Sequence, residues 1–349
     1  MTEGIQGPIG IRTLGTGDTA RWDDYVADCP EAGFFHRAGW KSVIEQAFGH
    51  DCYFLYAEGE GRIRGVLPLV HVKSLLFGNS LISTGFTVGG GTAADDEAVR
   101  AALDGEALAL ALRLDVDCLE YRSGEMRHPD WAHNTDLYAV FRKPIGPDSE
   151  QDMLAIPRKQ RAMVRKGIKA NLTSVLDRDV DRLHDIYATS VRNLGTPVYP
   201  KRYFRLLMDA FGPDIDIVTV LNGDRAVASV MNFYFRDTVL PYYGGGLPAA
   251  RAVAGNDFMY WEVMRRAVER GYRAFDFGRS KRGTGAFAFK KNWGFEPAPL
   301  IYEFKLCKLD AIPEVNPLNP KYRLLIAAWK RLPVPLAKLI GPPIVRCLG

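Results

Sequence analysis

The sequence lacks several features that would have fixed its class at once. No segment offers about 18 uninterrupted apolar residues, so no membrane-spanning helix is expected. The opening stretch "MTEGIQGPIGIRTLGTGDTARW" has neither the basic start nor the apolar run of a secretory leader, which points to a cytoplasmic chain. Cys29, Cys52, Cys118, Cys307 and Cys347 are odd in number and widely spaced, with no CxxC pair. Reduced thiols and no zinc site are expected from them. Of the 6 histidines only His128 and His133 are close, in the loop-like "RHPDWAH"; His36, in "FFHRAGW", reads as a helix-entry residue. A GxSxG elbow is missing, as is any convincing Ser-His-Asp or Cys-His arrangement, so a covalent enzyme intermediate is not expected.

What is present is a chain of 349 residues with 47% apolar content, enough to bury the cores of two domains. The formal net charge of +4 is too mild to indicate nucleic acid by itself, but it allows anionic substrates. Self-similarity is the strongest signal. "CYFLYAEGEGRIRGVLPLVHVK" reads as strand, glycine turn, strand, and "NSLISTGFTVGGG" adds a strand ending in three glycines. "IDIVTVLNGDRAVASVMNFYFRDTVLPYYGGG" repeats that order, with Asn222-Gly223 as a hairpin turn.

After each triple glycine come a helix ("AADDEAVRAALDGEALALALRL", "NDFMYWEVMRRAVERGY"), a strand ("DCLEYRS", "RAFDFGRS") and a last strand ("DLYAVFRK", "PLIYEFKL"). Helices also precede the hairpins, over about 40–48 and 180–194, the second with Val180, Leu183, Ile186, Tyr187 and Leu194 on one face. The fold class is therefore α/β in the α+β sense: two tandem copies, each a mixed, mostly antiparallel sheet flanked by helices. The expected organisation is a first domain over 1–150, a second over 151–310 carrying the active site, and a basic amphipathic tail over 311–349.

This element order resembles the GCN5-related N-acyltransferase fold. With "FDFGRSKRGTG" and "FKKNWGFEP" in the second copy, the chain resembles the FemAB-like branch of that superfamily, and most closely its exosortase- and exopolysaccharide-associated proteins, from about residue 20 to 310. The resemblance implies transfer of an acyl or aminoacyl group to an amine on a cell-envelope or exopolysaccharide precursor. Fem-type members use aminoacyl-tRNA and a peptidoglycan precursor; other relatives are acetyltransferase-like and use acyl-CoA. The long heptad insertion of some Fem transferases has no counterpart here, so both donors stay open, with the thioester preferred.

Acyl transfer to an amine needs an unprotonated amine, donors for the oxyanion and a proton for the leaving group. Asp276, entering the glycine-rich loop, could orient or deprotonate the amine, or simply pair with Arg279 or Lys281. Arg279, Ser280 and Lys281, between Gly278 and Gly283, read as an anion-binding loop or a solvated basic turn. By the resemblance, Lys290 stabilises phosphate or developing negative charge, while its neighbour Lys291 faces elsewhere. Tyr242 and Tyr243 are the candidate proton donors, with Tyr243 assigned the catalytic role and only one of the two able to face the site. Arg251, Gly255 and Asn256 in "RAVAGN" stand where the superfamily holds a CoA pyrophosphate, with alanine in place of the first glycine. In the first copy "GGGTAADDE" puts acids there, which suits a structural or acceptor-binding partner.

Three basic or polar stretches remain. In "PRKQRAMVRKGIKANL" Arg158, Arg161, Arg165 and Lys169 form one helical stripe, broadened by Lys159 and Lys166, that reads as a site for a sugar nucleotide, a lipid phosphate or a tRNA backbone, or as plain surface. Thr196, Tyr199 and Lys201 in "NLGTPVYPKRYF" line an acceptor groove or belong to a stiff connection. The tail carries Lys321, Arg323, Lys330, Arg331, Lys338 and Arg346 without an acid, among Leu324, Leu325, Trp329 and Leu332. It reads as an interfacial segment that makes the protein peripheral to the inner face of an anionic membrane, or as a segment docked on its own body. The competing reading for the whole chain is a non-catalytic scaffold in polysaccharide assembly.

Overall fold

The computed structural model describes residues 8–74, 77–313 and 320–349, with the backbone alone for 320–323. The first seven residues and the side chains of Lys321 and Arg323 lie outside the described residues. In chain order the elements are β1 (Gly10–Thr13), α1 (Thr19–Asp28), α2 (Gly39–Phe48), β2 (Asp51–Gly59), β3 (Arg62–Ser74), β4 (Gly78–Ser83), β5 (Ala93–Ala94), α3 (Glu97–Arg113), β6 (Cys118–Ser123) and β7 (Ala132–Pro144). Then come α4 (Ser149–Ala155), α5 (Arg158–Lys169), β8 (Thr173–Asp177), α6 (Val180–Leu194), α7 (Lys201–Phe211), β9 (Ile215–Asn222), β10 (Arg225–Phe235) and β11 (Thr238–Gly246). The chain continues through α8 (Pro248–Ala252), α9 (Gly255–Glu269), β12 (Ala274–Lys281), α10 (Gly285–Asn292), β13 (Pro297–Leu306), α11 (Pro320–Trp329) and α12 (Val334–Val345).

Two compact units result: 1–135 with 300–315 and 347–349, and 136–299 with 316–346. The boundaries expected at 150 and 310 divide the chain by sequence, whereas the units divide it by packing. In the first unit the strands run β1-β2-β3-β4-β6-β13, with β5 beside β3. Helix α3 covers this sheet through Val99, Leu103, Ala107 and Leu110, which pack on Leu55, Leu67, Leu69 and Leu81. In the second unit the order is β7-β12-β11-β10-β9-β8. One face of its sheet, including Val218, Val220, Val230 and Val239, carries α5 and α9 through Val164, Phe258, Met259 and Val263. Both sheets are antiparallel except at β4 with β6 and at β11 with β12.

The repeat is thus present, with one exchange. β7, the last strand of the first sequence copy, pairs antiparallel with β12 of the second, and β13 pairs with β6 of the first. Each sheet is completed by the other copy's final strand, which sequence periodicity alone does not indicate. Local patterning explains the remaining elements well: Glu60 and Gly61 both take positive φ, 54° and 75°, to turn β2 into β3. Asp96 caps α3 by accepting the Val99 N–H at 2.9 Å. That carboxylate also pairs with Arg64 at 2.5 Å, so the acids of "GGGTAADDE" include a helix cap and an ion pair. None of the five cysteines is in a disulfide.

Candidate active site

The sheet of the second unit parts at one place. β11 and β12 pair only at Thr238 with Ala274 and at Val239 with Phe275, although β11 continues to Gly246 and β12 to Lys281. Past Phe275 no ladder joins these parallel strands, which leaves backbone N–H and C=O groups on their facing edges for other partners. On its other side β12 keeps β7, but the register slips between Asp276 and Arg279. This is a bulge, and Gly278 takes φ +65° at its apex, a conformation costly for any side-chain-bearing residue.

Two charged side chains hold the bulge. The Asp276 carboxylate accepts the Gly278 N–H at 2.6 Å. From α10, Lys290 Nζ donates to the carbonyls of Phe277, Gly278 and Arg279 at 2.6, 3.2 and 2.9 Å. Three acceptors use all three ammonium protons, so in this arrangement Lys290 shapes the backbone rather than reaching for a ligand. Burial pulls its pKa down to about 7, with Asp276 opposing and Arg279 adding to the fall. Burial likewise pushes the Asp276 carboxyl up, against the Gly278 N–H, Arg142 and Lys290. A carboxyl held above its usual range is suited to exchanging a proton with an amine.

The adjacent tyrosines divide as strand geometry requires. Tyr243 is buried, its hydroxyl 2.8 Å from that of Tyr203, inside a group of rings that includes Tyr187, Phe204 and Phe233. Tyr242 is half-buried and faces the bulge: a side-chain carbon added at Gly278 would lie 3.9 Å from its ring. The ring beside the bulge is therefore that of Tyr242, while Tyr243, to which sequence reasoning gives the proton, points into the buried aromatic group.

The remaining loop residues scatter. The Arg279 guanidinium lies over the Tyr138 ring at 4.7 Å. Ser280 is buried with its hydroxyl unpartnered, and burial lowers the Lys281 pKa. Lys291 is exposed. A residue that sequence reasoning misses is Thr284, the cap of α10: its hydroxyl accepts the Phe287 N–H at 3.3 Å and donates to the Lys281 carbonyl at 2.7 Å. A threonine between two glycines before an apolar run is the signal that could have found it. The aromatic half of the stretch is core, with Phe275, Phe277, Trp293 and Phe295 buried.

The CoA pyrophosphate position can be tested by fit. α9 begins at Gly255, and α8 lies across that first turn: a carbon added at Gly255 would be 3.0 Å from the Ala250 Cβ. Asn256 packs beside Gly246 with a buried, unpartnered Oδ1, while Arg251 is exposed on α8. The first turn also carries Asp257, buried and bonded to Gln160 and Trp293 at 2.9 and 3.0 Å. A covered helix start with a carboxylate in it does not fit a pyrophosphate.

Helix α5 is different. Gln160, Val164 and Gly167 turn inward, whereas Arg158, Lys159, Arg165, Lys166 and Lys169 are exposed and form no ion pair among the described residues. Arg161 leaves this stripe, donating to the Leu154 carbonyl at 2.9 Å. The Thr196 and Tyr199 carbonyls accept from Trp329 Nε1 and His184 Nε2, both at 3.0 Å, and the Tyr199 ring stacks on that of Tyr203 at 5.0 Å. Lys201 pairs with Asp181 at 3.0 Å.

In the first unit the corresponding parting is closed. β4 and β6 pair from Ser80 with Cys118 to Ile82 with Glu120. The loop that follows β4 then fills the gap: the Gly90 N–H meets the Arg122 carbonyl at 2.5 Å, and the Arg122 guanidinium donates to Thr87 and Glu120 at 3.1 and 2.6 Å.

The chain is similar to known proteins at the level of sequence family and of fold. Residues 158–291, within the second unit, match the family model described as an acetyltransferase (GNAT) domain. No curated protein matches the sequence. Among solved structures, FemX is similar at TM-score 0.66 and 13% identity, over 91% of this chain and 100% of that one. The C-terminal domain of a candidate lysylphosphatidylglycerol synthetase from Agrobacterium fabrum is similar at TM-score 0.56 and 13% identity, over 82% and 91%. A tandem GNAT protein from the clavulanic acid biosynthesis pathway is similar at 0.53 and 15%, over 85% and 98%. At these identities the likeness is one of fold, and it is to a tandem acyltransferase fold.

Proposed function

We propose that the second unit is an N-acyltransferase whose acceptor amine and acyl carbonyl meet in the gap between β11 and β12. The parting of these strands beside Tyr242, Asp276 and the Gly278 bulge carries this reading. The amine nitrogen attacks the acyl carbon, the unladdered N–H groups of the strands receive the oxyanion, and Asp276 takes the amine proton. As the tetrahedral intermediate collapses, the Tyr242 hydroxyl protonates the leaving oxygen or sulfur. Proximity in the gap supplies much of the rate, and no enzyme-bound acyl group is needed.

For the donor, the covered start of α9 and the bare cationic face of α5 favour aminoacyl-tRNA over acyl-CoA. A polyanionic carrier suits five exposed cations on one helix. Here the geometry moves the preference away from the thioester. The thioester remains the second reading because the matching family model is described as an acetyltransferase. The acceptor is an amine of a cell-envelope or exopolysaccharide precursor, a reading supported by the resemblance of "FDFGRSKRGTG" and "FKKNWGFEP" and by the names of FemX and of the synthetase.

Calorimetric titration of the purified chain with bulk aminoacylated tRNA and with acetyl-CoA, at about 150 mM salt to screen weak contacts, tests the donor. Saturable tRNA binding without acetyl-CoA binding is expected. Acetyl-CoA binding that disappears in Arg251→Ala would reverse the assignment, and silence from both would return the chain to the scaffold reading.

A further inference from the structure

The C-terminal segment forms two helices, α11 and α12, joined through Lys330–Pro333; α12 packs on α6, and Ile326 of α11 meets Gly195 just after α6. Its inner contacts are specific. Trp329 Nε1 donates to the Thr196 carbonyl at 3.0 Å, Arg192 donates to the Lys330 carbonyl at 2.9 Å, and Lys338 pairs with Asp185. On α12 the buried residues are Ala337, Gly341 and Val345, at intervals of four. Gly341 lets the helix approach closely: a side-chain carbon there would sit 2.7 Å from the Val198 backbone nitrogen.

α12 is therefore amphipathic in an unusual sense. Small residues face the protein, and large ones face away. Leu336 and Leu339 are 41% and 72% exposed, and on α11 Leu324 and Leu325 are 83% and 66% exposed. Leu194, next in the chain to Gly195, which packs against Ile326, is a further exposed leucine. A helix stabilised only by its own body would turn leucine inward and alanine outward.

We infer that this two-helix segment docks the protein on an anionic lipid bilayer. The charge pattern selects the occupant: residues 320–349 contain no Asp or Glu, and Lys330, Arg331 and Arg346 are exposed. Lys330 and Arg331 sit in the link between the two helices and make no ion pair among the described residues. Exposed leucines beside exposed cations match an acyl boundary below and lipid phosphates around it. The helices are short, 10 and 12 residues, and among the described residues no helix is long and apolar enough to cross a membrane. The two helices lie in the interface rather than through it. This inference stands on the tail alone, so its failure leaves the acyltransferase reading untouched.

Flotation of the full chain with phosphatidylcholine vesicles, with and without phosphatidylglycerol, tests it. Binding is expected only with phosphatidylglycerol, and it should weaken with salt. Leu336→Glu combined with Leu339→Glu should lower it at least about ten-fold, as should Lys330→Glu with Arg331→Glu. Leu112→Glu, at an equally exposed leucine of the first unit (72%), should change nothing. Circular dichroism confirms that the variants fold. Failure of the parent chain to float, or equal flotation of the Leu336 and Leu339 variant, overturns the proposal. A dimer in solution that the same substitutions disperse, without vesicle binding, gives this face to a second copy and also overturns it.

Discussion

Lys290 Nζ lies 2.6 Å from the carbonyl oxygen of Phe277, and the same ammonium reaches the carbonyls of the next two residues. A lysine that sequence reasoning gives to a phosphate is thus bonded to the backbone it helps to bend. Its effect on chemistry passes through the bulge, which sets where Asp276 and the facing edge of β12 stand.

Lys290→Met removes the cation and leaves three carbonyls without a donor. Transfer should fall by about a hundred-fold or more, and stability by about 1–3 kcal/mol, the cost of unsatisfied buried acceptors. Affinity for the donor's carrier should change little, because the cations of α5 are elsewhere on the unit. Steady-state kinetics, a urea melt and a binding titration on the same variant separate these effects. A variant that binds no donor yet keeps its stability would instead return Lys290 to direct ligand contact.

The two tyrosines should separate cleanly. Tyr243→Phe leaves the buried Tyr203 hydroxyl without its partner at 2.8 Å, so stability should drop by about 1–2 kcal/mol with turnover nearly unchanged. Tyr242→Phe should do the reverse, lowering kcat about ten- to a thousand-fold with an unshifted melting curve. Thermal melts and turnover numbers of the pair decide the assignment.

The first unit contains a pH-dependent brace. His128 Nε2 lies 3.1 Å from Asp104, its Nδ1 lies 3.5 Å from Glu303, and its ring stacks on Trp131 at 4.0 Å. Burial lowers its pKa, but the two carboxylates outweigh this and raise it from 6.5 to about 9. A raised folded pKa stabilises fully below the unfolded value and loses that effect as pH climbs through the folded one. Unfolding free energy should therefore decline between pH 6.5 and about 9, by at most about 1.4 kcal/mol per unit from this group. His128→Gln should flatten that decline, as denaturant melts across the range would show.

If α5 holds a polyanion, its cations should govern how steeply binding weakens with salt. Each of Arg165→Ala, Lys166→Ala and Lys169→Ala should reduce the slope of log affinity against log salt by about 0.7–0.9, the share of one neutralised phosphate. Alanine keeps the helix, and these side chains face solvent, so folding should be unaffected. An unchanged slope in the triple variant would remove α5 from the binding surface.

Much of the fold is legible in the sequence because its signals are local. Helix α6 begins and ends at the residues its apolar spacing indicates, and the hairpins of both copies sit on their glycine turns. Several short elements, among them α4, β8 and α8, escape such reasoning, since short stretches carry weak periodicity, whereas α7, with Tyr203, Phe204, Leu207 and Phe211 on one face, carries a spacing that could have been read. Within the site, Asp276 and Gly278 can be nominated from the sequence itself and Lys290 through the family resemblance, and they do converge. Thr284 could have been recognised as a cap, and the partner of Tyr243 could not, because Tyr203 is 40 residues away in the chain.

By itself, then, the sequence determined the two-copy plan, the turns, the helix faces and the concentration of unusual residues after Phe275. These depend on interactions between near neighbours, where residue spacing is the physics. Only the tertiary structure decided that the copies exchange their last strands, since β7 and β13 are alike in pattern and strand pairing over long separations leaves no local trace. It alone decided that Lys290 turns to three carbonyls, that Tyr242 rather than Tyr243 meets the gap, and that α8 covers the start of α9. Each is a choice among partners brought close by the chain's return, and burial and unsatisfied backbone groups made that choice.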